Sequence, residues 1–544
     1  MESFLVHTYY YLMIALIAGF AVALVLTIFE NRKVFTFISE GTYYKLAAIV
    51  LLGIIIKYSF ATFTPKVFND EFLYISTAEN LAKNGLSTPF LEKSFPPTNL
   101  NDFRFFPPYP QLWPVILSFA FRAMQSISYQ MAGYLNTILS MLIPIPAFFM
   151  GYFFFASVNP RIKSNKSAEI CGLFTAFFWV FIPVIIKLTG CASSEINSTL
   201  MIAIYLALLF LYLEYPTSKT FLTMILSLCL VIHGRPENLL YILLLIPVLI
   251  KGKFRLLREK RNLALIILFF FMLVSLLILT SGFGDPDRSH VFQIEKRIEF
   301  DSKFENFTAN FLNNFLFLGG HNKVHPIFFT LLAIGGILFL ILRKDDRFRG
   351  YLLLGWFSVF FFIFSPFPFG DFSNSHSYDA YRFSIHLYFP LTLAMTYCSF
   401  ALWQMIMNTR FKKIAPALTT AILILIFVSF YFSIPFLRVE HPDMFYFNTL
   451  GQATEKIKKL KTNIIMVAVK PERCLMIRYI TGLPTFIVEN KEDVENMKPG
   501  DTRIFYYLTS GPPEHILQNF EMNLYVRHYI DNKEYSVFEL KKVK

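Results

Sequence analysis

Four polar groups interrupt an otherwise apolar chain, and their residue types set the chemistry open to it. The first is Asp70-Glu71, with Tyr74 and Thr77 following at spacings that put Asp70, Tyr74 and Thr77 on one helix face. The second is Glu195. The third is the run His233-Gly234-Arg235-Pro236-Glu237, and the fourth is 371–382, which holds Asp371, His376, Asp379, Tyr381 and Arg382. Carboxylates beside cations at the rim of an apolar bundle suit one kind of reaction. A carboxylate takes a proton from an acceptor hydroxyl while cations stabilise a departing phosphate. A substrate that reaches such a rim would carry its phosphate on a lipid. No Gly-rich phosphate fingerprint and no Cys-x-x-Cys pair accompany these groups. His376 and His386 read as hydrogen-bonded wall residues rather than metal ligands, and a divalent metal stays open as a cofactor.

The elements that must position these residues are membrane helices. Of 544 residues, 55% are hydrophobic and 16% charged, a composition of polytopic membrane proteins rather than soluble domains. The formal net charge of +13 lies in Lys and Arg clusters between apolar runs, which fits a positive-inside bias better than a nucleic-acid surface. Apolar runs at 5–29, 46–63, 131–157, 169–187, 197–214, a broken pair over 220–250, 262–281, 326–342, 351–366, 383–404 and 414–436 give about twelve spans. The run 109–124 is short, opens with prolines and ends at Arg122. As an interfacial or re-entrant helix it keeps every dense cationic cluster on one side. The charge rule then puts both termini, all four polar groups and the loop 64–130 on the outer face. The first run lacks a basic leader and is long enough to span, which argues against a cleaved signal peptide.

From about 437 the pattern changes. Helix is predicted at 449–461, 472–480 and 491–497, and strand at 463–469, 484–489 and 502–508, with a terminal hairpin. The expected architecture is a polytopic α-helical membrane domain, 1–436, and a small α/β exterior domain, 437–544. Cysteine is sparse and scattered, so no disulfide framework is expected.

Asp70-Glu71-x-x-Tyr74 after the second span, followed by Pro107-Pro108-Tyr109 opening a short helix, resembles the GT-C membrane glycosyltransferases of the protein O-mannosyltransferase and aminoarabinose transferase type. Glu195 opening a later span, the Arg235-Pro236-Glu237 break and Tyr381-Arg382 before a late span extend the resemblance over roughly 46–404. Glu195 stands where the family usually has Asp, Tyr-Arg-Phe replaces the family's Arg-Tyr, and 5–29 is an added span. The resemblance implies a GT-C-like bundle. It also implies inverting transfer of a sugar from a polyprenyl-phosphate donor to a protein or lipid acceptor on the outer or lumenal face. By the same resemblance Asp70 is the general base, and Glu71 orients it, positions substrate or helps bind a metal. Tyr74, Pro108, Tyr109, Glu195, Arg235, Glu237, His376, Tyr381 and Arg382 are then substrate-binding candidates. The expected location is a plasma membrane, of a prokaryote rather than an endoplasmic reticulum.

Other readings of the same residues stay open. Arg235 either binds a phosphate or satisfies carbonyls freed by the helix break. Arg382 either does likewise or snorkels to the interface. Glu195 can act on substrate or complement its helix dipole. A polytopic transporter or lipid-linked sugar flippase would also bury charge in a bundle, but the long acidic first loop and the exterior domain argue against it. A non-catalytic scaffold leaves the gathered carboxylates unexplained. An oligosaccharyltransferase is a related alternative, weakened by the absence of a Trp-Trp-Asp-Tyr-Gly signature.

Overall fold

The computed structural model describes residues 2–36, 38–85, 112–156, 166–246, 305, 307–315, 325–365, 380–407, 415–438, 444–460, 464–468, 471–488, 503–509, 517, 521–530 and 533–541. Helix α1 runs Glu2–Glu30, α2 Arg32–Thr36 and α3 Glu40–Phe60. A polar helix follows, α4 at Phe68–Asn84, with Asp70 and Glu71 in its first turn, where acids complement the helix dipole. It stops at Gly85, whose φ of 69° is left-handed and whose N–H returns to the Leu81 carbonyl at 3.2 Å. Helix α5, Leu112–Met124, has 13 residues, too few for the ~20 that cross a bilayer. It lies against α4, and Arg122 donates to the Leu81 and Ala82 carbonyls at 2.7 and 3.0 Å, satisfying the last turn of that helix.

Ser128 caps α6, Tyr129–Leu142, by accepting the Met131 N–H at 3.1 Å. The chain continues after Ile143 as α7, Pro144–Ala156. Pro144 has no N–H for the Ser140 carbonyl four residues back. The fully buried Lys57 ammonium donates to that carbonyl instead. Helices α8 (Lys166–Val180), α9 (Pro183–Leu188), α10 (Glu195–Glu214) and α11 (Ser218–Ile232) come next, then a 3-10 helix at Pro236–Leu244. Helices α12 (Ile327–Leu342) and α13 (Arg347–Phe364), a 3-10 turn at Ala380–Ser384, α14 (Ile385–Met407), α15 (Ala415–Tyr431) and α16 (Ile434–Arg438) complete the helical part.

Among the described residues six helical stretches are long and apolar enough to cross a membrane, and α5, α11 and α12 are shorter apolar helices. The expected count of about twelve spans is not reached by the described residues, and the run 262–281 lies outside them. The run 169–187, read as one span, breaks at Phe181-Ile182 before Pro183. The break predicted within 220–250 falls at His233–Arg235.

The C-terminal part has α17 at Met444–Ile457, β1 at Ile464–Ala468, α18 at Pro471–Thr481, β2 at Thr485–Ile487, β3 at Arg503–Thr509, β4 at Glu521–Ile530 and β5 at Lys533–Lys541. The strands form one sheet in the order β2-β1-β3-β5-β4. β1 is parallel to β2 and β3, while β3–β5 and β4–β5 are antiparallel. Met466, Phe505, Tyr507 and Val537 pack beneath α17 and α18, and Phe72 of α4 joins this core. The predicted helix 491–497 lies outside the described residues.

Candidate functional site

Helix α4 sends successive side chains to three different neighbours, because consecutive residues are rotated by about 100°. Asp70 faces Arg382, and its Oδ2 accepts from the Arg382 Nη1 at 2.5 Å. Glu71 turns into the protein. Its Oε1 accepts the backbone N–H groups of Lys66 and Val67, each at 2.6 Å, and its Oε2 accepts the Ala192 N–H at 2.8 Å and the Tyr129 hydroxyl. Burial pushes the Glu71 carboxyl above its ordinary range, and these four donors pull against that shift without reversing it. Phe72 points to the C-terminal sheet, where its ring lies 5.4 Å from that of Tyr479, and the Tyr129 N–H donates to the Tyr479 hydroxyl.

Asp70 is one end of a chain of alternating charges drawn from four elements. The same Arg382 Nη1 donates to Glu195 Oε1 at 3.3 Å. Glu195, the first residue of α10, also accepts from Arg235 Nη1, and Arg235 Nε donates to Glu237. His386 Nε2 stands 4.0 Å from Glu237 Oε1, and its Nδ1 lies 3.2 Å from the Tyr241 hydroxyl. Phe383 packs under both guanidiniums, with the Arg382 and Arg235 carbons 5.3 and 5.8 Å from its ring centre. Side-chain exposure is 2% at Glu195 and 8% at Arg235, but 18% at Asp70 and 14% at Arg382. Glu237 at the other end is 15% exposed. The middle of the chain, Glu195 with Arg235, is thus a buried ion-pair scaffold, and its two ends, Asp70–Arg382 and Glu237, are the more exposed parts.

Of the residues singled out in the sequence, Asp70, Glu195, Arg235, Glu237 and Arg382 come together in this chain. Arg235 pairs with carboxylates rather than freed carbonyls, and Arg382 turns to Asp70 and Glu195. Tyr74 stands beside it, its hydroxyl accepting from Ser194 at 3.0 Å. Thr77 donates to the Leu73 carbonyl of its own helix. Tyr381 is fully buried with its ring edge-on to Phe436 at 5.2 Å. Pro108, Tyr109 and His376 lie outside the described residues. Tyr241 was not among the candidates, and His386, read as a hydrogen-bonded wall residue, does bond Tyr241 and also adjoins Glu237. The signal available was a histidine one turn past Arg382 in a helix otherwise without charge.

Two guanidiniums fixed beside an accessible carboxylate can bind a phosphate ester and accept a proton next to it. Among the described residues no group of three or more His, Cys, Asp and Glu side chains is gathered to hold a metal ion. A separate cavity of about 450 Å³ opens between α4 and α18, lined by Ser76, Glu79, Arg478 and Tyr479 among others. It lies across α4 from Asp70, since Ser76 and Glu79 fall on the opposite helix face.

No protein-family profile matches the sequence, and no curated protein matches it. Solved structures do. The crystal structure of the Archaeoglobus fulgidus oligosaccharyltransferase tethered to an acceptor peptide containing an Asn-Val-Thr sequon aligns with a TM-score of 0.54 at 12% identity, covering 86% of this chain and 69% of that one. The same archaeal enzyme in complex with zinc and sulfate aligns with a TM-score of 0.52 at 13% identity, covering 84% and 67%. The chain is similar in fold to an oligosaccharyltransferase. That likeness is one of fold, and identity this low does not single out the mannosyltransferase or aminoarabinose transferase type.

Proposed function

We propose that the protein is an integral-membrane glycosyltransferase that moves a sugar from a polyprenyl-phosphate donor to an acceptor on the outer face, with Asp70 as general base. The observation that carries this reading is the accessible Asp70–Arg382 pair at the end of a buried chain of charges. Asp70 takes the proton of the acceptor group. The acceptor atom then bonds to the anomeric carbon as the bond from that carbon to the phosphate oxygen breaks, with inversion. Arg382, with Arg235 behind it, stabilises the charge that develops on the leaving lipid phosphate. Glu195 and Glu237 hold the two guanidiniums in place, and Glu71 fixes the start of α4 so that Asp70 meets them. A protein acceptor is favoured over a glycolipid because one similar structure carries an acceptor peptide.

The test is an assay with polyprenyl-phosphate sugar and membrane extract at matched expression. Asp70→Asn is expected to lower turnover by about 10²–10⁴-fold, the range for loss of a general base, while the protein stays folded. Normal turnover by Asp70→Asn would remove this residue from the chemistry.

A further inference from the structure

Resting on that reading, we propose that Arg382 occupies the position a divalent cation would take between the carboxylates of this centre, so that transfer proceeds without a metal ion. An enzyme that expels a phosphate can use a bound cation to fix its carboxylates and to neutralise the leaving group. The natural ligands for such an ion are carboxylate oxygens, and among the described residues Asp70 of α4 and Glu195 of α10 share one cation. Both are engaged through one nitrogen. Nη1 of Arg382 lies 2.5 Å from Asp70 Oδ2 and 3.3 Å from Glu195 Oε1. Arg235 takes the same oxygen of Glu195 and reaches Glu237 through its Nε. Three carboxylates are thus shared between two guanidiniums, which stay protonated at any working pH and cannot dissociate.

A cation entering here would have to displace Arg382 from both partners and accept a second positive charge close by, since Arg235 holds Glu195 from the other side. The guanidinium supplies what the ion would supply. It orients Asp70, balances Glu195, and supplies the positive charge and planar donor geometry that suit a phosphate.

The test uses the full chain in lipid nanodiscs, stripped with EDTA, with Mn²⁺ as the probe and the free-Mn²⁺ electron paramagnetic resonance signal as the readout. Wild type is expected to take up no stoichiometric Mn²⁺, and its turnover to change by less than about twofold after EDTA, against the large loss expected where a metal does the chemistry. Arg382→Ala removes the cation shared by Asp70 and Glu195, leaving Arg235 on Glu195, and is expected to take up Mn²⁺ where wild type does not, with a second change, Asp70→Asn, abolishing that uptake. Wild-type uptake that Asp70→Asn removes, or loss of turnover on EDTA, overturns the proposal. So does a monodisperse Arg382→Ala protein that takes up none. Arg382→Gln is read in the same way if the alanine variant is not monodisperse, and the wild-type measurement decides in either case. Mn²⁺ uptake is independent of turnover, so a chain that uses no polyprenyl-phosphate sugar defeats the transferase reading while the metal question is still answered.

Discussion

Neighbouring acids on one helix turn can have opposite duties, and Asp70 and Glu71 separate them by exposure and partners. Asp70 has an arginine partner and partial access to solvent, whereas Glu71 is fully buried and accepts from three amides and a tyrosine. Glu71→Gln puts an amide NH₂ where donors already point, leaving buried N–H groups unmatched at about 1–3 kcal/mol each. The expected outcome is a lower melting temperature together with lower turnover. Asp70→Asn is expected to lose turnover with its melting temperature unchanged. Thermal melts of the two purified variants distinguish these roles, and a wild-type melt for Glu71→Gln would show that its donors have other partners. Arg235→Ala and Arg382→Ala should each lower donor turnover by about 10²–10³-fold, the scale for removing a charge-stabilising donor. Arg→Lys should recover only part, since the planar fork is lost; wild-type kinetics in both alanine variants would make these arginines structural. The five members of the charge chain were legible because a charged residue in an apolar chain is conspicuous. Its order was not legible, nor was the inclusion of His386 and Tyr241, because contacts between positions 145 apart leave no periodic trace.

At the scale of elements, the site depends on how closely the turn before α10 approaches α6. Gly190 has φ of 88° and leads through Cys191 to Ala192, whose N–H holds Glu71, and on to Glu195. A Cβ at Gly133 on α6 would stand 2.4 Å from the Gly190 carbonyl oxygen and 2.9 Å from the Phe63 ring. Backbone cannot step aside as a flexible side chain can. Gly133→Ala is therefore expected to push 189–195 away from α4, costing about 1–3 kcal/mol for overpacking and lowering turnover although residue 133 touches no charged group. Gly133→Ala with unchanged turnover and melting would show that this turn yields freely. The sequence announced elements of both kinds where composition changes sharply. The strand predicted at 463–469 is β1 at Ile464–Ala468, and the helix predicted at 472–480 is α18 at Pro471–Thr481. It did not announce the break at Phe181-Ile182, because hydrophobicity is unbroken there and Pro183 suits the first turn of a new helix as well as a kink.

At the scale of the whole molecule, the charge chain and the cations Arg347 and Arg349 stand at opposite ends of α13. Phe364, at the end of α13, stacks on Phe383 and His386 with ring centres 5.9 and 4.9 Å apart. Arg347 and Arg349 begin the same helix, and 18 residues of α-helix place them about 27 Å away. There Arg349 pairs with the buried Asp346 at 3.1 Å, and Tyr397 donates to the same carboxylate at 3.0 Å. That separation is close to the ~30 Å thickness of a hydrocarbon core, the length a helix needs to carry its two ends to opposite faces. The positive-inside rule predicts a cytoplasmic arginine end, and by that prediction Asp70 and the C-terminal sheet, tied to α4 by Phe72, lie outside. Reporters that distinguish the two sides are expected to read exterior when fused after Lys544 or inserted after Lys93, and cytoplasmic when inserted after Lys344. A cytoplasmic signal from the Lys93 insertion would put Asp70 on the wrong side for a lipid-linked donor presented outside. A cytoplasmic signal after Lys544 alone would instead separate the C-terminal sheet from α4 and contradict the packing of Phe72 against Leu450 and Met466.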